Sequence, residues 1–491
     1  MDLQFRKEPI SYLRTVTNDI QTQEQTQEVR LPDGMPDIGH VIASWAQVVI
    51  RGKEWRGGSA GVNGGVMAWV LYAPEDGSEP QCVDTWLPFQ MKTDVDGTLQ
   101  DGTICAVPLL QNVDARSVSA RKMMVRSSVS MLMCVQVRDK VEVGLPDDLP
   151  DDVCILKNMY PMMLAAEYGE KAFSIEESLE LPAAMPAPEK LVYYKLYPEV
   201  TEQKIMTDKL VFRGVAKLHL LYMDARGQLH HWDGELPISQ YSELSRDYTE
   251  NASAVLQHVV TNLELVNGQD NKQVLKAGLL CQYVVYDRTE VSVVEDVYSP
   301  RRQISPHTEY LRLPAILDTM SETVPVRQGV ENAVLDAMFC PDMPRIYRDE
   351  DGISADLSGT FYALISDEEG RLQGTVQPWE ERKALPADPN VMTEMALGHG
   401  AVTVAGSNLE VELPMTVRYL ADQEMTVITG LELGELQESN PERPSLILCR
   451  RGEQSLWDIA KQTGSTVESI QQANGLTQEP DPDKMLLIPI L

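Results

Sequence analysis

The sequence predicts a mainly β chain, with three repeated antiparallel, sandwich-like units followed by a small βααβ unit. Three observations carry that prediction. Leu31-Pro32, Met35-Pro36, Gly64 and Leu71-Tyr72 return as Leu181-Pro182, Met185-Pro186, Gly214 and Leu221-Tyr222, always 150 positions later, and self-similarity at a fixed spacing marks a repeated structural unit. Inside the second copy Ala216, Leu218 and Leu220 alternate with Lys217 and His219, the period of a strand with one buried and one wet face. From Ser445 onward the pattern changes to two helical stretches set between two short β runs.

Taken in order, residues 1–24, rich in Gln and Thr, read as an N-terminal arm or an added strand. The first repeat is assigned to 25–150 and the second to 151–300, with Gly77 matching Gly227 and Leu87-Pro88 matching Leu236-Pro237. Glu75-Asp76-Gly77 and Asp224-Ala225-Arg226-Gly227 are hairpin turns, where glycine supplies a positive φ. Within the second repeat, Ile155 to Tyr168 reads either as a short helix or as the repeat's entry. The third repeat, 301–436, is more divergent; it starts at Leu311-Arg312-Leu313-Pro314 and runs through Gly359-Thr360-Phe361-Tyr362-Ala363-Leu364-Ile365 to Glu369-Gly370. Each copy ends in a strand pair broken by an acidic turn: Val129 to Val137 with Val141 to Val143, Leu279 to Tyr286 with Val291 to Val294, and Val411 to Leu420 with Met425 to Ile428. Polar, Pro-containing boundaries at Asp147 to Asp152 and at the 437–444 linker predict separate globular units and a mobile last unit, 445–491.

In that last unit, Ser445 to Cys449 and Met485 to Ile490 are the strands. Ser455 with Asp458 and Ser465 with Glu468 have the spacing of capping boxes, and Asn474-Gly475 stops the second helix. Leu456, Ile459 and Ala460, then Val467, Ile470 and Ala473, fall at helical spacing and give each helix a buried face. With one cysteine, Cys449, the unit is expected to be held by the packing of Leu456, Trp457, Ile470 and Ile488.

The run Arg451 to Ala460, followed by Asn474-Gly475-Leu476 and Leu486 to Pro489, resembles the LysM family. That resemblance implies recognition of N-acetylglucosamine polymers, in peptidoglycan or chitin, between the loop before helix one and the loop after helix two. Here those loops supply Gly452, Glu453, Gln454 and Ser455, then Asn474, Gly475, Leu476, Thr477 and Gln478. The first loop departs from the family's Gly-Asp-Thr-Leu-Trp pattern by one extra residue.

Three β-rich repeats ending in LysM also resemble the SPOCS-domain proteins of spore-forming Clostridia. The residues that carry this are Phe212-Arg213-Gly214-Val215 through Leu220-Leu221-Tyr222 and Glu235 to Gln240, with weaker copies at Val66 to Gln90 and Gly359 to Pro378. The resemblance implies a spore-envelope morphogenetic scaffold in the mother-cell cytoplasm. It would lie at the forespore surface, tethering a coat basement layer built by a self-assembling ATPase, with LysM as the docking element.

Composition narrows the partners. With 42 basic and 74 acidic residues, net charge −32, the chain is unsuited to nucleic acid, whose backbone is neutralised by Lys and Arg, and to anionic membrane. Met1 to Glu8 lacks an apolar signal core, and the longest apolar run, Val66 to Ala73, is better read as a buried strand than as a membrane span. Seven scattered cysteines without a C-x-x-C pair fit reduced thiols. Gly57-Gly58-Ser59-Ala60-Gly61 has the spacing of a nucleophile elbow but leads into a strand where that motif needs a helix. The histidines lack ligand spacing. The sequence therefore points to no cofactor, no metal and no enzyme. The competing readings are a peptidoglycan-binding wall protein outside the cell and, more remotely, a wall hydrolase.

Overall fold

Extended backbone runs for up to 26 residues at a stretch, and up to the terminal unit the computed structural model is built of antiparallel strands. It describes residues 2–99, 102–267, 273–350, 352–388, 390–437 and 444–491, so positions 438–443 of the expected linker lie outside the described residues.

After a short β1 (Asp2–Gln4), the first repeat consists of β2 (Arg6–Arg30), β3 (Ile38–Arg56), β4 (Ser59–Pro74), β5 (Gln81–Asp94), β6 (Thr103–Ser119) and β7 (Lys122–Leu145). The second has β8 (Cys154–Leu179), β9 (Lys190–Met206), β10 (Lys209–Met223), β11 (Leu229–Glu243), β12 (Ser253–Asn267) and β13 (Gln273–Tyr298). In the third, β14 (Ile304–Gly329) leads to β15 (Ala333–Pro341), β16 (Arg345–Asp349), β17 (Gly352–Ser366), β18 (Leu372–Leu385), β19 (Met392–Leu397), β20 (Val402–Ala405) and β21 (Asn408–Leu433). Each repeat faces one sheet of the type β3-β4-β5 against another of the type β2-β7-β6. The third has two broken strands. β15 and β16 both pair with β17 but are parted by Asp342 to Pro344, where Pro344 has no N–H for the ladder.

The repeat is visible in single hydrogen bonds. Tyr72 Oη donates to the Pro36 carbonyl and Tyr222 Oη to the Pro186 carbonyl, both at 2.9 Å. Gly77, Gly227 and Gly370 close equivalent turns with φ of 74°, 73° and 78°. Gly57-Gly58 is the β3–β4 turn, so Ser59 opens a strand.

Several expectations are corrected. The acidic stretches do not turn: β7, β13 and β21 run straight through them, each paired along its length with the long first strand of its own repeat. Arg14, Arg246 and Arg312 neutralise Asp139, Asp287 and Asp422, so the charges sit on a continuous ladder. Leu311 to Pro314 lies inside β14 and does not match Leu31-Pro32 or Leu181-Pro182, which follow the first strands of their repeats. Ile155 to Tyr168 is strand, and residues 6–24 belong to β2.

The long strands also change how the repeats meet. An isolated two-stranded ribbon is marginal in water, and the outer halves of the three ribbons bundle around Tyr12, Val143, Leu164, Val293, Leu313 and Val427. β1 pairs with β21, so the first residues of the chain are stitched to the third repeat. The first sandwich core extends into Tyr193 and Leu221 of the second repeat and Met338 and Leu364 of the third. The expected separate units are thus packed into a shared interior, because each sandwich leaves apolar side chains on outer faces that only its neighbours cover.

Polar groups caught at these seams carry consequences. His219, expected on a wet strand face, is 6 % exposed because the third repeat covers it. Its ring contacts Asp233 through Nδ1 at 2.6 Å and Asp336 through Nε2 at 2.7 Å, while Tyr193 Oη donates to Asp336 at 2.9 Å. Two other histidines are held neutral: burial pushes His258 and His399 down to about 4. Unfolded histidine takes up a proton near pH 6.5, so these two contribute stability that is intact above that value and lost as pH falls toward 4, by up to about 3 kcal/mol each. Urea midpoints measured across pH 4–7 should fall on the acid side, and His258→Phe should flatten that fall; an unchanged slope would count against the assignment.

Candidate functional site

The terminal unit is the part of the chain whose sequence pattern points to binding, and its scaffold is built as local chemistry requires. β22 (Leu446–Arg450) pairs with β23 (Met485–Pro489), and between them lie α1 (Leu456–Thr463) and α2 (Val467–Asn474). Ser455 caps α1 in a reciprocal capping box with Asp458, and Gly464 ends it in the left-handed region. The second cap differs from expectation. Thr466, rather than Ser465, accepts from the Ser469 N–H, and Ser465 is fully buried. Leu456, Ile459, Ala460, Ile470, Leu486 and Ile488 form the core, whereas Ala473 is exposed.

Trp457 packs on this core but is only half-buried. It stands at the edge of the unit, its ring 4.8 Å from that of Tyr298 at the end of β13 in a T-shaped contact, and its indole Nε1 donates to Asp296 Oδ2 at 2.8 Å. Lys461 Nζ donates to both Asp296 oxygens at 2.7 Å. Burial alone would raise the Asp296 carboxyl, but the hydrogen bonds from Lys461 and Trp457 hold it below its ordinary value. The unit is therefore seated on the second repeat, where the linker had suggested free movement. Solvent exposure limits the Lys461–Asp296 pair to roughly 0.2–1 kcal/mol, while the part-buried hydrogen bond from Trp457 to the carboxylate contributes about 1.5–3 kcal/mol. Asp296→Ala is expected to release the unit, seen as a larger maximum dimension in solution scattering and faster protease cleavage after Leu433. An unchanged scattering profile would sink this seat.

The two loops named from sequence do lie side by side. Glu479 joins them, its Oε1 accepting from the Leu456 N–H at 3.1 Å and its carboxylate pairing with Arg451 at 3.2 Å; Arg451 also donates to the Pro480 carbonyl at 2.7 Å. Sequence reading missed this clamp, although opposite charges flanking the two loops were its signal. Gly452 has φ 62° and its N–H donates to the Pro482 carbonyl at 2.9 Å. Glu453, Gln454, Gly475, Thr477 and Gln478 are exposed, Ser455 is spent on its cap, and Leu476 packs on the core. Asn474 is committed inward: its Nδ2 donates to the Ile470 and Leu487 carbonyls at 2.8 and 2.6 Å, and its Oδ1 accepts from the Leu487 N–H at 2.8 Å.

The outer face of the two-stranded sheet carries exposed apolar side chains, with Arg450 at one end, and is uncovered among the described residues. Leu446 and Leu448 on β22 are 49 % and 62 % exposed, as is Met485 on β23 at 49 %. Alternation places them on the side opposite Ile447, Leu486 and Ile488, which enter the core.

Among the described residues no group of three His, Cys, Asp or Glu side chains could hold a metal ion, and no helix is long and apolar enough to cross a membrane. Residues 188–267, which span most of the second repeat from β9 to β12, match the family model "SipL, SPOCS domain". Residues 450–489 match "LysM domain". No curated protein and no solved structure matches the chain. Both matched domains are binding domains, and sporulation follows from the first of them. Residues 188–267 thus carry a SPOCS domain and residues 450–489 a LysM domain, and in these two regions the chain is similar to SipL-type SPOCS and LysM proteins.

Proposed function

We propose that the chain is a non-enzymatic scaffold of the spore envelope, tethering the coat basement layer to the forespore surface at the mother-cell side. In this reading LysM is the docking element for coat morphogenetic proteins, foremost the self-assembling ATPase of the basement layer. The observation that carries it is the seating of a binding domain on a large shared body, with its outer sheet face, Leu446, Leu448 and Met485, left open. An apolar face of that kind suits a protein partner better than a sugar, whose hydroxyls need polar partners. Joining several modules in one body also raises the effective concentration of each for its partner.

The test is copurification from sporulating cells, comparing the intact chain, a chain ending at Glu435, and Leu446→Glu with Leu448→Glu. Loss of the same partners from the last two supports docking through this face; an unchanged partner set rejects it. A second reading, peptidoglycan recognition, rests on the exposed loop residues Glu453, Gln454, Thr477 and Gln478. Retention of the intact chain on purified peptidoglycan, lost on truncation at Glu435, would favour that reading, and release of soluble sugars would reveal a hydrolase instead.

A further inference from the structure

A cavity of about 580 Å³ lies where the three repeats meet, within the range of roughly 300–1,000 Å³ common for small-molecule sites. Every repeat contributes to its wall, with Val48 and Val107 from the first, Leu196 and Val255 from the second and Met415 from the third. One cation stands in this lining, which mixes apolar side chains with Gln, Ser and Thr. Lys195 on β9 is 3 % exposed, and among the described residues no carboxylate or hydrogen-bond acceptor pairs with its ammonium. Its neighbours are the Tyr197 ring, 5.0 Å away, and the Cys340 thiol.

The carboxylates of the same lining are already engaged. Glu199 pairs with Lys217 at 2.7 Å, Glu202 with Arg213 at 3.8 Å and Glu322 with Lys383 at 2.9 Å. The two histidines add no negative charge; His399 Nε2 is 2.9 Å from the Pro108 carbonyl, and His258 Nε2 lacks a partner. The cavity is therefore short by one negative charge. A buried charge without a counterion is costly, and burial accordingly holds Lys195 below the ordinary lysine value.

We propose that this junction cavity binds a small organic carboxylate, its charged end on Lys195 and a short apolar body against the surrounding valines and leucines. Such a ligand touches all three repeats, and its occupancy would tighten their packing.

The test titrates the full chain by calorimetry with three probes: hexanoate, the neutral analogue hexanol, and inorganic phosphate. Hexanoate is expected to bind saturably at one site per chain, with hexanol and phosphate each at least about tenfold weaker, as for loss of a hydrogen bond to a charged group. Lys195→Met should cost hexanoate at least the same factor while leaving thermal stability equal or higher. Failure of hexanoate to saturate, equal binding of hexanol, tighter binding of phosphate, or full hexanoate affinity in the Lys195→Met chain would each overturn the proposal. Should that variant not fold, the hexanoate and hexanol comparison on the unaltered chain decides alone.

Discussion

Replacing Asp336 with alanine is expected to destabilise the packed repeats by about 3–5 kcal/mol, the range for removing one partner of a buried ion pair. Asp336 is 1 % exposed on β15 of the third repeat, and His219 of the second repeat reaches it across the seam. Burial alone would lower the imidazole, but the Asp336 carboxylate, joined by Asp233, pushes His219 up to about 10. Alanine at 336 strands that charge in the interior and also deprives Tyr193 of its acceptor. Asp233→Ala should cost much less, because its side chain is 59 % exposed and water replaces it. The pH signature follows from the sign of the shift. A raised histidine value contributes stability that is complete below the unfolded value near 6.5 and lost as pH rises toward 10. Urea unfolding followed through Trp45, which stacks on Tyr193 at 4.7 Å, should show that alkaline loss in the unaltered chain and not in Asp336→Ala. Equal costs for Asp233→Ala and Asp336→Ala, or an alkaline loss that survives in Asp336→Ala, would remove His219 as the cross-repeat latch.

What the sequence made legible was local and periodic. Alternation along Ala216 to Leu220 announced a strand, and the recurring Leu-Pro, Met-Pro and Leu-Tyr pairs mark real equivalences, since Tyr72 and Tyr222 make the same hydrogen bond in their own copies. The capping box at Ser455 and the left-handed stop at Gly475 followed from short-range chemistry alone. What stayed hidden depends on partners far away in the chain. His219 reads as a wet strand residue until Asp336, 117 positions on, is seen to cover it. Acidic residues such as Asp139 and Asp422 imitate a turn, because local reading cannot see Arg14 and Arg312 across the ladder. Trp457 reads as core, which it flanks, but nothing near it in sequence discloses Asp296 and Tyr298 as its further seat. In the candidate site the inward commitment of Asn474 was hidden in the same way, because it needed the position of Leu487.

Gly214→Ala is the second substitution expected to have a large effect, at about 2–3 kcal/mol or more, as for overpacking against atoms that cannot yield. A Cβ at Gly214 would stand 1.9 Å from the Glu199 carbonyl oxygen and 3.0 Å from Val200 Cα, both of them backbone. The close approach is built into the repeat. β9 bulges at this point, with the register slipping between Arg213 and Gly214, and a Cβ at the equivalent Gly64 would stand 2.2 Å from the Val49 carbonyl oxygen beside a bulge of β3. A methyl group therefore cannot be accommodated by a rotamer change; β9 itself must move. That strand also carries Tyr193 and Lys195, so displacing it loosens the stack on Trp45 and the wall of the junction cavity together. Gly97, around which a Cβ meets nothing within 4 Å, provides the comparison, and alanine there should change stability by no more than about 0.5 kcal/mol. The urea midpoint should fall sharply for Gly214→Ala and Gly64→Ala and stay put for Gly97→Ala, and matching midpoints across the three would mean that the bulged strand is free to retreat.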